Sequence, residues 1–205
     1  MRFFSYDGFL ATAIRYIVKL FVLNLCYVIC CIPVVTVGAA TAAMHAVFYQ
    51  SDAETGLVSK FFHELKANFR QATVVWLVAL IPLATLILDW YYLLFYQFAG
   101  KLFLTVVTVV ITVFMLSALS FVFPLLARYE NSTKQVLKNA LLLGTGKFIF
   151  GVMMSAVSLL PFILFYMNLE VFLYVMLIWI PFGGCLSTYI SGRIAKHVFR
   201  KMESV

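Results

Sequence analysis

Asn24-Leu-Cys-Tyr-Val-Ile-Cys-Cys-Ile-Pro-Val-Val-Thr-Val-Gly-Ala-Ala-Thr-Ala-Ala-Met44 is the stretch that decides the fold. No charged residue lies between Phe21 and Met44, and the run is interrupted only at Pro33 and Gly38. A bilayer core takes about 20 consecutive apolar residues per helix, whereas a soluble domain has little use for so long a run. Proline and glycine in its middle predict that the chain turns around there.

The rest of the sequence agrees with a membrane location. Of 205 residues, 64% are hydrophobic and 11% charged, and the mean hydropathy is +1.04. Soluble domains have roughly 45–50% apolar and about 25% charged residues. The composition therefore predicts an all-α, polytopic transmembrane helical bundle, one integral membrane domain over residues 1–205. The net charge of +7 does not point to nucleic acid, because the basic residues flank apolar segments as topology determinants do. Cys26, Cys30, Cys31 and Cys185 all fall in apolar segments and read as small buried hydrophobes, with neither disulfide nor metal spacing. Ala40-Thr41-Ala42 resembles a leader cleavage site, but the apolar run continues past it, so retention of the N-terminus is the expectation.

Apolar segments read at 17–32, 39–49, 72–96, 102–127, 148–167 and 171–190. The last four are each long enough to cross. The first two read as a short hairpin around Pro33–Gly38, or as one kinked helix. Basic residues arbitrate. If six segments cross, every Lys and Arg except Lys101 falls on one side. If five cross, Arg2, Arg15 and Lys19 move to the other side. The positive-inside rule favours six segments with both termini cytoplasmic.

Two cytoplasmic helices are expected to lead into membrane helices. In Ser59-Lys-Phe-Phe-His-Glu-Leu-Lys-Ala-Asn-Phe-Arg70, Phe61, Phe62, Leu65 and Phe69 read as one apolar face, the pattern of a helix lying on a membrane surface. Ser132-Thr-Lys-Gln135 reads as a capping box that starts a second helix.

Candidate sites are few. Asp89, in Leu86-Ile-Leu-Asp-Trp-Tyr-Tyr92, is an acid within a membrane helix, and such an acid is by default a candidate for a substrate or ion contact. Counting from Ala72 at 1.5 Å per residue, it lies roughly 26 Å along, near the interface, where an interfacial carboxylate paired with Lys101 explains it as well. His45 and Asn24 complete the set that could line a solute or ion path; packing and interhelical hydrogen bonding are the competing roles. His45 has no neighbours at ligand spacing, so no metal site or cofactor is expected. Gly144-Thr-Gly-Lys147 lacks the spacing of a phosphate loop, and His63-Glu64 lacks the second histidine of a zinc helix. Asn131-Ser-Thr133 is a glycosylation sequon on the side expected to be cytoplasmic. No catalytic constellation emerges, and no enzyme is expected. Small residues recur every four positions, at Gly184, Thr188 and Gly192 and at Gly183, Ser187 and Ser191, as does the alanine run after Pro33; such faces permit close helix contact.

The block Ile32-Pro-Val-Val-Thr-Val-Gly-Ala39, with Asn24-Leu25 before it and an alanine-rich helix after it, resembles the signature of YesL-like bacterial membrane proteins. Phe61-Phe62, Asn68-Phe69, Phe123-Pro-Leu-Leu-Ala-Arg-Tyr-Glu-Asn131 and Lys138-Asn139-Ala-Leu141 extend the resemblance over nearly the whole chain, with Tyr27 where many relatives have tryptophan. The resemblance implies a small integral membrane protein encoded beside sugar uptake systems and polysaccharide-degrading enzymes, and it supplies no catalytic or ligand residues. The expected function is thus an accessory component of carbohydrate uptake, with Phe61, Phe62 and Phe69 facing a sugar permease complex. Besides the lipid bilayer and that permease, a second copy of the chain is a conceivable partner. A small self-sufficient transporter or channel using Asp89, His45 and Asn24 is the alternative. A lipid-binding protein using the aromatic amphipathic helix is a third reading.

Overall fold

A computed structural model describes residues 9–49 and 56–203. They form helices α1 (Phe9–Cys31), α2 (Val37–Tyr49), α3 (Leu57–Phe95), α4 (Lys101–Arg128), α5 (Thr133–Gly146), α6 (Phe148–Met167) and α7 (Leu169–Glu203). No strand occurs among the described residues. Helices α3, α4, α6 and α7 are each long and apolar enough to cross a bilayer, and two shorter apolar helices, Ile17–Cys31 and Val34–Tyr49, precede them. The fold is a helical bundle of the membrane type.

The apolar run does turn at Pro33. The proline has no N–H to continue α1 and sits extended at φ −74° and ψ 119°, starting a single 3-10 turn over Val34–Thr36. Thr36 then closes the tip: its hydroxyl donates to the Cys30 carbonyl at the end of α1 and to the Pro33 carbonyl, which also accepts the Thr36 N–H at 3.0 Å. The Trp76 indole N–H on α3 donates to the Val34 carbonyl at 2.7 Å and fixes the tip sideways. Gly38 lies against the same helix, and a Cβ there would overlap Trp76 Cβ and the Ala72 carbonyl. Each residue of the Pro-Val-x-Thr-x-Gly block thereby has a mechanical task.

Helix α2 occupies the middle of the molecule, touching α1, α3, α4 and α7. Ala39, Ala40, Ala42, Ala43, Met44, Ala46 and Val47 on it are fully buried. Hiding a large apolar side chain from lipid gains little, since acyl chains are equally apolar; small residues that let backbones approach hold such helices together. Ala39 and Ala42 pack with Phe121, Leu125 and Phe199. On the other side Ala40, Ala43 and Met44 pack with Leu23, Phe61 and Cys185.

One end of the bundle, the base, holds the start of α3, the α4–α5 turn and the end of α7. There Arg128 bonds both Glu203 oxygens at 2.9–3.0 Å, and the Tyr129 hydroxyl donates to the same carboxylate at 2.6 Å. Burial, with the carboxylate accepting its proton, pushes the Tyr129 phenol up to about 12. The Ser132–Gln135 capping box is present, the Ser132 N–H donating to Gln135 Oε1 at 3.0 Å.

Away from the base, α3 with α4 and α6 with α7 form two helical arms, and α3 approaches neither α6 nor α7. The arms expose large apolar side chains: Ile81 and Leu88 are each 66% accessible, Phe162 70% and Leu177 73%. Aromatic residues cluster at the tips, Tyr92 with Tyr96 and Phe98 on one arm and Phe165 with Phe172 on the other. Such belts suit the membrane–water interface.

Helix α3 corrects one expectation. It runs unbroken from Leu57 to Phe95 through Pro82, so 59–70 extends a long membrane helix and does not lie as a separate helix on a membrane surface. Its inward stripe is Phe61, Ala72, Val75 and Ala79.

Candidate functional site

Between the two arms lies a cleft of about 590 Å³. The α1–α2 hairpin contributes Tyr27, Thr41 and His45 to it. The α3–α4 arm adds Trp76, Leu83, Ser120 and Phe123, and the α6–α7 arm adds Ser155, Ser158, Trp179, Ser187 and Ser191. None of its lining residues is Asp, Glu, Lys or Arg.

Six hydroxyls of this cleft lie within hydrogen-bond distance of a carbonyl of their own helix. Thr41 donates to the Val37 carbonyl at 2.8 Å, Ser120 to Leu116 at 2.9 Å, Ser155 to Gly151 at 2.9 Å and Ser158 to Met154 at 3.2 Å. Ser187 bonds the Gly184 carbonyl at 3.2 Å, and Ser191 bonds that of Ser187. A hydroxyl has one proton and two lone pairs. A hydroxyl whose proton goes to its own helix presents acceptor oxygen to the cleft; of Ser120 and Ser155, which bond each other, only one can do so. Ser120 and Ser155 meet across the α4–α6 contact at 2.8 Å.

His45 stands apart from them. It is only 5% accessible, its ring stacks on Tyr49 with centroids 6.3 Å apart, and its Nδ1 has no hydrogen-bond partner among the described residues. A buried polar atom without a partner is costly and calls for an explanation.

Asn24 is placed otherwise. It is fully buried, with Nδ2 donating to the Ile180 carbonyl and Oδ1 accepting from the Cys185 N–H, both at 2.8 Å. The amide clamps the backbone of α7 on either side of Pro181, where the proline interrupts the helical hydrogen-bond ladder. Gly184 permits this approach, since a Cβ there would come within 2.6–2.7 Å of Tyr27 and Asn24. The small-residue face of α7 thus packs inside the bundle.

Asp89 is exposed on the arm and lies outside the cleft, and it makes no ion pair among the described residues, with Lys101 or otherwise. Of the three residues read as a path, the structure therefore brings His45 to the cleft and leaves Asn24 and Asp89 elsewhere. Of the three phenylalanines read as partner-facing, Phe61 is fully buried against Met44 and Val47 and cannot face a partner. Phe62 and Phe69 are exposed, 46% and 43% accessible, and border a surface groove with Lys66 and Arg70. Asn168 is an exposed cap, its Oδ1 accepting from the Glu170 and Val171 N–H groups at 2.8 and 3.2 Å. From sequence, Ser187 and Ser191 read only as a small-residue packing face, and Ser120, Ser155 and Ser158 carry no site reading at all. The available signal was their spacing within apolar helices, Ser155 with Ser158 and Ser187 with Ser191, each pair on one face.

Residues 20–90 match the family described as "Protein of unknown function, DUF624". Over that span the chain is similar to DUF624. This is the domain family of the YesL-like proteins, so the resemblance carried by the Ile-Pro-Val-x-Thr-x-Gly block holds there. The DUF624 span runs from Leu20 in α1 to Trp90 in α3 and includes Asn24, Gly38, His45 and Trp76. None of the curated proteins and none of the solved structures matches the chain. The DUF624 span supplies one part of the cleft wall, from Tyr27 to Leu83, and α4, α6 and α7 supply the rest.

Proposed function

We propose that this protein is a non-enzymatic integral membrane protein of a bacterial plasma membrane and an accessory component of carbohydrate uptake. Six membrane segments, the first two a re-entrant hairpin, leave both termini in the cytoplasm. Helix α2, with 13 residues, spans about 20 Å at 1.5 Å per residue, short of the roughly 30 Å hydrocarbon core. What supports the orientation is charge: Lys60, Arg70, Arg128, Lys134 and Arg200 flank the base, whereas Lys101 begins α4 at an arm tip.

The observation that carries the accessory role is the exposed face of Phe62, Lys66, Phe69 and Arg70 on the base extension of α3. Aromatic rings beside arginine suit a protein interface. The test is mild-detergent co-purification of the tagged chain from cells grown on complex polysaccharide. A stoichiometric sugar-permease subunit is expected with the wild type and is lost with Phe62→Ser/Phe69→Ser at unchanged membrane insertion. Recovery of the chain alone, or only with itself, rejects the accessory role.

The cleft favours a second reading, a small self-sufficient transporter or channel. Hydroxyls and an imidazole from five helices face one space between two arms, an arrangement suited to alternating exposure of a solute site. Solute flux in vesicles holding the purified chain alone, reduced in His45→Ala, is the result that reading requires.

A further inference from the structure

We propose that the cleft between the arms is a binding site for an uncharged polyhydroxyl compound, of the kind a monosaccharide ring represents. The inference goes beyond the accessory role and stands whether the chain acts with a permease or alone.

Three observations carry it. The first is charge: no ionic side chain lines the cleft, and an ionised ligand without a counter-charge in apolar surroundings is strongly disfavoured. The second is hydrogen-bond polarity. Thr41, Ser120, Ser158 and Ser187 each give their proton to a carbonyl of their own helix, so the ligand must bring several donors. A polyol or a sugar is an uncharged molecule with several donors, and its hydroxyls both donate and accept. His45 Nδ1, buried and without a partner among the described residues, is the protein atom that such a hydroxyl would satisfy.

The third is the apolar wall. The Trp76 N–H is already bonded to Val34, so this indole offers the cleft only its ring. Trp179 adds a second aromatic face. Sugar rings present C–H faces between equatorial hydroxyls, and aromatic surfaces beside hydroxyl acceptors fit both aspects. The volume of about 590 Å³ lies within the roughly 300–1,000 Å³ typical of small-molecule sites.

The same ring chemistry comes from two sources, a free saccharide and the headgroup of a glycolipid entering between the arms. Purified full-length protein in phospholipid nanodiscs is titrated by tryptophan fluorescence with methyl glucoside and sucrose as free sugars. Nanodiscs containing glucosyl-diacylglycerol supply the lipid-borne form; glucose 6-phosphate and choline are the charged controls. A saturable change with a neutral sugar of either form and none with the controls is expected. Response to the glycolipid alone identifies the headgroup as the source. Trp179→Phe removes most of the signal and Trp90→Phe leaves it. His45→Gln and Ser158→Ala each weaken binding at least tenfold while elution volume and melting temperature stay at wild-type values. Silence across both neutral forms, equal binding of the phosphate or choline, or unchanged affinity in both variants overturns the proposal. Phe62→Ser/Phe69→Ser, which breaks the partner complex, leaves this titration unaltered because neither residue lines the cleft.

Discussion

Asn24 spends a whole side chain on the backbone of another helix. Both ends of its amide are used at 2.8 Å, on Ile180 and Cys185. Interhelical hydrogen bonds in membranes average about 0.6 kcal/mol, with a maximum near 1.7. Removing both while leaving the α7 groups buried adds their desolvation. Asn24→Leu should therefore destabilise the fold by about 1–3 kcal/mol, read as a lower melting temperature in detergent. Gly38→Ala meets a harder obstacle, the Cβ of Trp76 and the Ala72 carbonyl. An overpacked site of this kind costs about 1–3 kcal/mol, and Gly38→Ala should fall in that range by the same measurement while Gly146→Ala, with open space around it, should not. The sequence made Asn24 visible as a buried amide in need of a partner. It could not say which, because the partner is backbone on a helix beginning at Leu169, and backbone leaves no mark in a sequence.

At the scale of elements, the turn at Pro33 was legible because proline and glycine act locally. The orientation of α3 about its own axis was not. Phe61, Phe62, Leu65 and Phe69 form an apolar arc wider than one neighbouring helix can cover. Helix α2 covers the Phe61 edge, and Phe62 and Phe69 stay outside. Which edge is covered depends on where α2 lies, and helical periodicity contains no such information. The energetic consequence is a sharp contrast between adjacent residues. Phe61→Ala should cost about 3–5 kcal/mol, the range for emptying a buried phenylalanine site, whereas Phe62→Ala should stay within about 0.5 kcal/mol. Thermal unfolding of the two variants side by side checks it; equal losses would mean that α3 is rotated.

The whole molecule joins a closed base to two arms that meet where α4 packs on α6. Composition and apolar segment length made the membrane bundle and its long helices legible, because both are sums along the chain. The cleft is a property of helices far apart in sequence. Its serines and threonine each look, alone, like ordinary residues of an apolar helix, and their bonds to their own helices make them look more so. Asp89, which lies outside the cleft, stands out in the sequence because charge is conspicuous there, while convergence of neutral groups is not. The arms meet through α4, which packs on α6, but α3 approaches neither α6 nor α7, so no direct contact fixes the separation of the outer helices α3 and α7. Spin labels at Leu88→Cys and Leu177→Cys, with the four native cysteines replaced, should give a broad distance distribution in the empty protein. A neutral sugar that binds should narrow it; an unchanged distribution at saturating sugar would mean that the arms are rigid.

The enclosure of α2 has a consequence for how the protein is made. Cys185 and Phe199 seal two of its sides, and Cys185 is synthesised 141 positions after Met44. The amide of Asn24 waits through more than 150 positions of translation for Ile180. During that interval the nascent chain carries an unfinished hairpin with an unpaired polar group in lipid, a state that insertion machinery can shelter and that membrane proteases recognise. Docking of α7 ends it, so α7 serves as the release signal for α1, and a chain cut short before Ile180 should be cleared from the membrane rather than accumulate.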